Sequence, residues 1–238
     1  MQYKKLAAIG DSYSTVDYGL SWPDLVTEKL QCKMIRASSS GAGNSFYVEK
    51  LHDCVKDPEV DLVIVQLTEP SRAVIGLRAW EEVAQGTRPN PYGKIVDPTD
   101  FNHNHIYKDI GCYTMNVHDN QRWLDPFVGV TGVDRFWLNQ GAGTRWWNYQ
   151  SVHSVLAMKQ LCDAHNKKVI FFSWFVSWDE FFVPGYEWLR STLTLVPGVA
   201  RLQGIKMNLL ETSDGHYGTE STQRLFAEYL WPNLEPML

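Results

Sequence analysis

The segment Lys5-Leu6-Ala7-Ala8-Ile9-Gly10-Asp11-Ser12-Tyr13-Ser14 sets the reading of the whole chain. A short apolar run breaks at Gly-Asp-Ser, the pattern of a buried strand that runs into a tight turn. Open α/β sheets hold their ligands at the carboxyl ends of their strands, so a serine on this turn stands where chemistry is done. Gly10 permits the sharp turn. A helix after the turn would aim its free N–H groups back at the hydroxyl and favour negative charge there. Ser12 is therefore a candidate nucleophile, and its own N–H a candidate oxyanion donor.

Gly, Asp and Ser are also ordinary turn formers, and the tripeptide alone carries little weight. Weight comes from the far end of the chain, Thr212-Ser213-Asp214-Gly215-His216. A serine nucleophile needs an imidazole to take its proton, and the imidazole needs a carboxylate to hold its tautomer. Asp214 and His216 supply both, in the chain order Ser, Asp, His. Taken singly they read as a turn-capping carboxylate and an exposed loop histidine. Paired with Ser12 they read as acid and base.

Between these two ends the pattern is α/β. Ser21-Trp22-Pro23-Asp24 has the form of a helix start, with Ser21 as cap, Asp24 reaching back and Pro23 in the first turn. Lys33 to Ala37 reads as a second strand, followed by a small-residue loop, Ser38-Ser39-Ser40-Gly41-Ala42-Gly43-Asn44. Tyr47, Val48, Leu51, Cys54 and Val55 then fall at helical spacing. Asp61 to Leu67 is a nearly unbroken apolar run, of the kind buried on both faces of a parallel sheet. The order β-α-β-α-β implies right-handed crossovers with helices on both faces.

From about residue 77 to 148 the periodicity fails in a stretch rich in Asn, Gly, Pro, Trp and His. So long a structureless loop is unusual inside a compact domain, and the stretch reads as an insertion beside the carboxyl edge of the sheet. Gly141-Ala142-Gly143 lacks a phosphate-loop lysine and reads as a turn. Regularity resumes at Tyr149, with a helix to about Asn166, a buried strand from Val169 to Phe175 and a partly helical aromatic segment from Glu180 to Leu195. Pro184 and Pro197 punctuate that segment, and a last helix marked by Leu225, Phe226, Tyr229 and Leu230 is stopped by Pro232. The whole, residues 1–238, reads as one domain with one insertion.

Composition narrows the function classes. A length of 238 residues and a hydrophobic share of 44% suit a single α/β domain with a real core. A net charge of −5 and the lack of any Lys/Arg cluster argue against a nucleic-acid partner. Cys32, Cys54, Cys112 and Cys162 are widely spaced without a CxxC pair, and read as reduced thiols. His103 and His105 have no third ligand at metal-binding spacing, so no metal is expected. No signal peptide precedes the first strand, and the longest apolar run, near Val169 to Val176, is too short to span a bilayer. The expectation is a soluble protein, cytoplasmic or virion-associated, with no membrane partner.

Gly10-Asp11-Ser12, the Gly41-Ala42-Gly43-Asn44 loop and Asp214-Gly215-His216 together resemble the SGNH/GDSL hydrolase family. Trp22-Pro23 and the Leu225-Phe226-Ala227 helix are similar to it as well, so the resemblance runs from about residue 5 to 231 outside the insertion. The closing turn, with one residue between Asp and His, resembles a subset found in bacteria and their viruses. The resemblance implies a flavodoxin-like three-layer α/β/α sandwich with a parallel sheet of about five strands. It implies ester hydrolysis by Ser12, His216 and Asp214, with no cofactor. The other large serine-hydrolase fold fits less well: Gly10 to Ser14 lacks the last glycine of its G-x-S-x-G elbow, and there several strands precede the serine.

The resemblance also implies an oxyanion hole, and here the chain departs from the pattern. Ser12 and Gly41 map onto two backbone donors, but the usual Gly-x-Asn-Asp block is replaced by Gln66-Leu67-Thr68-Glu69-Pro70-Ser71-Arg72. Thr68 or Asn44 can fill the third place. Asn44 reads equally as a helix N-cap, and Thr68 as a strand-end hydroxyl bonded to backbone. One missing donor costs about 2.7–4 kcal/mol of transition-state stabilisation. Of the ten tryptophans, Trp80, Trp123, Trp137, Trp146 and Trp147 fall in the insertion. They offer flat faces for sugar rings, or else fill a small second core. The substrate expected is a carbohydrate O-acetyl or other short-acyl ester. The alternative is a non-catalytic or weakly active carbohydrate-binding or structural protein, such as a virion component, that keeps the fold.

Overall fold

Five strands run parallel in one sheet: β1 (Lys5–Gly10), β2 (Lys33–Ser38), β3 (Val60–Leu67), β7 (Lys168–Ser173) and β8 (Leu195–Val199), in the order β2-β1-β3-β7-β8. This is seen in a computed structural model that describes residues 3–15, 19–38, 43–70, 72–76, 106–107, 112–116, 141–212 and 215–238. The order reverses direction at β1, which lies between β2 and β3. Crevices at such switch points are the ligand sites of doubly wound sheets, and Ser12 lies two residues beyond the end of β1.

The sheet is covered on both faces, and the alternation of side chains shows why the strands read as solid apolar runs. Ala7, Ile9, Val63 and Val65 face a layer built from α2 (Asn44–Lys56) and α3 (Gly141–Ala164), including Phe46, Leu51, Val155 and Met158. Leu6, Ala8, Leu62 and Ile64 face the opposite layer, with Trp22 and Val26 of α1 (Trp22–Leu30) and Leu225 of α7 (Thr219–Leu225). The fold expected from the sequence is the fold observed. The start of α1 is also as read: the Asp24 carboxylate accepts hydrogen bonds from Ser21 N–H (3.1 Å) and Ser21 Oγ (2.8 Å).

Several local expectations are corrected. Ser12 to Ser14 form a single 3₁₀ turn, and no long helix begins there; Asp11 caps the turn with its own side chain. Gly141-Ala142-Gly143 is not a turn but the first residues of α3, so that helix begins eight residues before Tyr149. A small antiparallel sheet, in the order β4 (Arg72–Gly76), β6 (Cys112–Asn116), β5 (Ile106–Tyr107), starts soon after β3 and enters the stretch read as irregular. The aromatic segment holds two short helices, α4 (Trp178–Phe181) and α5 (Glu187–Arg190).

The fifth parallel strand, β8, escaped the sequence reading because it carries Pro197 and Gly198. A proline cannot donate to a ladder, but β8 is an edge strand with one open side. It leads into α6 (Ala200–Lys206). Pro232 does not stop the last helix either. A π turn over Phe226–Leu230, where Trp231 N–H bonds to Phe226 O, precedes it, and winding continues through α8 (Trp231–Leu234). A π turn re-spaces the backbone where proline would clash with the preceding turn.

Two predictions follow from packing. A Cβ on Gly10 would lie 2.1 Å from Ser14 Oγ and 3.0 Å from Gln66 Cβ. Gly10→Ala is expected to lose about 3 kcal/mol in urea unfolding, the upper end for overpacking; a change within error would show that the turn yields freely. Cys32, Cys54 and Cys162 are unpaired thiols. Burial pushes the Cys54 thiol up to about 11 and the Cys162 thiol up to about 12. Thiolate is the reactive form, so iodoacetamide at pH 8 should leave both unmodified in the folded protein and alkylate both after denaturation, read by peptide mass mapping.

Candidate active site

The turn after β1 is held from below by a buried polar network centred on Gln66, near the end of β3. Gln66 Nε2 donates to Asp11 Oδ1 (2.6 Å), while Gln66 Oε1 accepts from Ser14 Oγ (2.5 Å) and Trp22 Nε1 (3.0 Å). Trp22 Nε1 also reaches Ser14 Oγ at 2.7 Å. Asp11 accepts in addition from Tyr13 N–H (3.1 Å) and from Thr68 Oγ1 (3.0 Å). Asp11, Ser14, Gln66 and Thr68 are all fully buried, where a polar group without a partner is costly. Each is partnered, so the network fixes the turn rather than weakening it. Sequence reading passed over Gln66; its signal was a polar side chain inside the apolar run Leu62 to Leu67, well away from the strand's start.

On that turn Ser12 is 6% exposed, and its Oγ lies 2.8 Å from His216 Nε2, across 204 positions of sequence. This is within proton-transfer distance. The histidine sits on a closed turn. Thr212 N–H and Thr212 Oγ1 both donate to His216 O, at 2.6 and 2.8 Å, and Gly215 N–H donates to Thr212 O at 2.9 Å. Glu211 and Tyr217 bridge its base. Gly215 has φ +82°, a left-handed conformation that glycine alone adopts without strain. This is the physical reason for glycine at position 215. Asp214 lies outside the described residues, as does Gly41.

Asn44 and Thr68, the candidates for a third oxyanion donor, are hydrogen-bonded within the scaffold. Asn44 is the first residue of α2, not its cap, which is Gly43. Its Nδ2 donates to Thr68 O (3.1 Å) and Ser151 Oγ (3.3 Å), and its Oδ1 accepts from Thr68 N–H (2.9 Å). Asn44 thereby staples α2, β3 and α3 together. Both donors of Thr68 are engaged as well, N–H by Asn44 and O–H by Asp11. Neither side chain has a hydrogen left for an oxyanion. Trp80, Trp123 and Trp137 lie outside the described residues, and Trp146 and Trp147 belong to the first turns of α3, their side chains likewise outside them. His103 and His105 also lie outside.

An aromatic wall flanks the pair. Tyr13 stacks on Trp174, with centroids 4.4 Å apart, and meets Phe175 edge-on at 5.5 Å. Arg201 lies over the Phe175 ring at 5.7 Å and pairs with Glu211 at 3.1 Å. A recess of about 20 Å³, lined in part by Ser12, Tyr13, Thr15, Trp174, His216 and Tyr217, lies beside the serine. That is room for about one water-sized group.

By sequence, no family model and no curated protein matches the chain. By structure there are matches. The crystal structure of TesA superposes with a TM-score of 0.52, covering 99% of this chain and 100% of its own, at 17% identity. The psychrotrophic esterase EstA from Pseudoalteromonas sp., in a structure inhibited by monoethylphosphonate, gives 0.53 over 98% of each chain at 11% identity. The chain has their fold. The likeness extends over nearly the whole length of all three chains.

The network predicts a stability phenotype. Gln66→Leu keeps the volume but leaves the Ser14 hydroxyl without its acceptor and takes one of two partners from Asp11 Oδ1 and Trp22 Nε1, at about 1–3 kcal/mol for a group left unpaired where water cannot reach. A loss of about 1–3 kcal/mol is expected in denaturant titration, and a variant as stable as the parent would show that the network holds nothing.

Proposed function

We propose that the chain is a serine carboxylic-ester hydrolase of the SGNH/GDSL type. The observation that carries this reading is the 2.8 Å contact between Ser12 Oγ and His216 Nε2 on a shared esterase fold. Ser12 Oγ attacks the ester carbonyl carbon while its proton passes to His216 Nε2. The tetrahedral intermediate collapses as His216 protonates the leaving alcohol, which leaves an acyl group on Ser12. Water, deprotonated by His216, then releases the acid. Asp214, two residues before His216, is assigned to orient the imidazole and offset its positive charge.

The oxyanion is assigned to the backbone N–H groups of Ser12 and Gly41. With the hydrogens of Asn44 and Thr68 engaged elsewhere, neither side chain is assigned as a third donor. One donor fewer corresponds to about 10²–10³ in turnover, so activated esters should be cleaved far faster than unactivated ones. The substrate is assigned to the short-acyl class, first a carbohydrate O-acetyl ester. The small recess beside Ser12 favours a short acyl group, and the tryptophans of the 77–148 stretch supply flat faces for sugar rings.

The test uses an alkyl fluorophosphonate, since EstA on this fold is inhibited by monoethylphosphonate. The wild type should be labelled at Ser12 and should release acetate from p-nitrophenyl acetate and acetylated xylan. Ser12→Ala and His216→Ala should each lower turnover by at least about 10³-fold. An inert Ser12 would instead favour a glycan-binding protein on a hydrolase fold, and cleavage of long-chain acyl esters alone would remove the acetyl assignment.

A further inference from the structure

We infer that Tyr13 is a positioning residue for the His216 imidazole, in addition to Asp214, an inference that rests on the esterase reading of Ser12 and His216. Tyr13 follows Ser12 on the same 3₁₀ turn, so whatever Tyr13 holds is held relative to the nucleophile. It holds the histidine turn twice. Its Oη donates to Gly215 O at 2.8 Å, across 202 positions, at the residue immediately before His216. Its ring lies against the imidazole itself, with centroids 4.7 Å apart and planes at 32°.

The ring that does this is itself immobilised. Tyr13 stacks on Trp174 at 4.4 Å and 29°. Trp174 is 3% exposed and packs on Phe172 and Tyr217 at 6.4 and 6.1 Å. Its buried indole N–H finds no hydrogen-bond partner among the described residues. Trp174 is therefore kept in place by ring contacts, and its function here is to be a surface for Tyr13. A chain of rings runs from the buried Trp174 through Tyr13 to His216.

This arrangement addresses a specific mechanical problem. Ser12 is anchored through the Gln66 network to the centre of the sheet, whereas His216 stands on a loop that bends at a left-handed glycine. Local bonds from Thr212 close that loop on itself but do not set its distance from Ser12. Tyr13 sets it by contacting both the loop backbone and the ring. Misplacing a reacting group by about 1 Å can lower turnover 10²-fold.

Tyr13→Leu is expected to lower kcat on p-nitrophenyl acetate about 10²-fold with KM changed less than about twofold, and to slow Ser12 phosphonylation in parallel. Tyr13→Phe keeps the ring and loses one hydrogen bond, so part of the loss should be recovered, to within about tenfold of wild type. A crystal structure of folded Tyr13→Leu should show Ser12 Oγ and His216 Nε2 beyond hydrogen-bond reach. Wild-type kcat and phosphonylation in Tyr13→Leu would overturn the inference, as would a crystal structure that retains the contact. An inert wild type would overturn the esterase reading instead, and the Tyr13 inference would then be decided by the crystallographic distance alone.

Discussion

One amide side chain, that of Gln66, ties the Ser12 turn to the middle of the sheet. It bonds Asp11 on one side and Ser14 and Trp22 on the other. Three elements, the turn, α1 and β3, thus share one set of donors and acceptors in a place closed to water. Satisfied buried networks have few alternative arrangements, because each alternative leaves some group unpaired. Gly10 completes the constraint. It is needed not for an unusual φ but because a Cβ would occupy the space of Ser14 Oγ. Close approach of the turn to β3 is what places Ser12 at the mouth of the switch point.

The polar groups of this protein divide into those that build and those that face the site. Asn44, Thr68, Gln66 and Asp11 all build. Ser12 and His216 face each other, flanked by Tyr13, Trp174 and Phe175. Asn44 and Thr68, the side chains expected as a third oxyanion donor, are engaged in joining α2, the end of β3 and α3 and in holding Asp11. The chemistry assigned to the chain therefore rests on backbone N–H groups more than on side-chain donors.

The packing around the site follows the same economy of partners. Covering both faces of the sheet removes the need for alternating polar residues in β1, β3 and β7, and leaves proline tolerable only at the open edge, in β8. The π turn before Pro232 lets the last helical segment keep Phe226, Tyr229 and Leu230 in the core while the chain passes a residue that has no N–H.

What the sequence determined by itself was local. Apolar runs marked β1, β3 and β7, Ser21 and Asp24 marked the start of α1, and glycine between positions 214 and 216 marked a turn, because periodicity and capping act within a few residues. The order of elements implied a parallel sheet with helices on both faces, and the family resemblance named the fold. Only the tertiary structure decided that Pro197 and Gly198 belong to an edge strand and that Gly141 opens a helix. It alone decided that the donors of Asn44 and Thr68 turn inward and that Tyr13 lies on His216. The reason is that these outcomes depend on partners 24, 57 and 202 positions away. A side chain's role is set by which unsatisfied group the fold brings to it, and that is a property of the assembled chain.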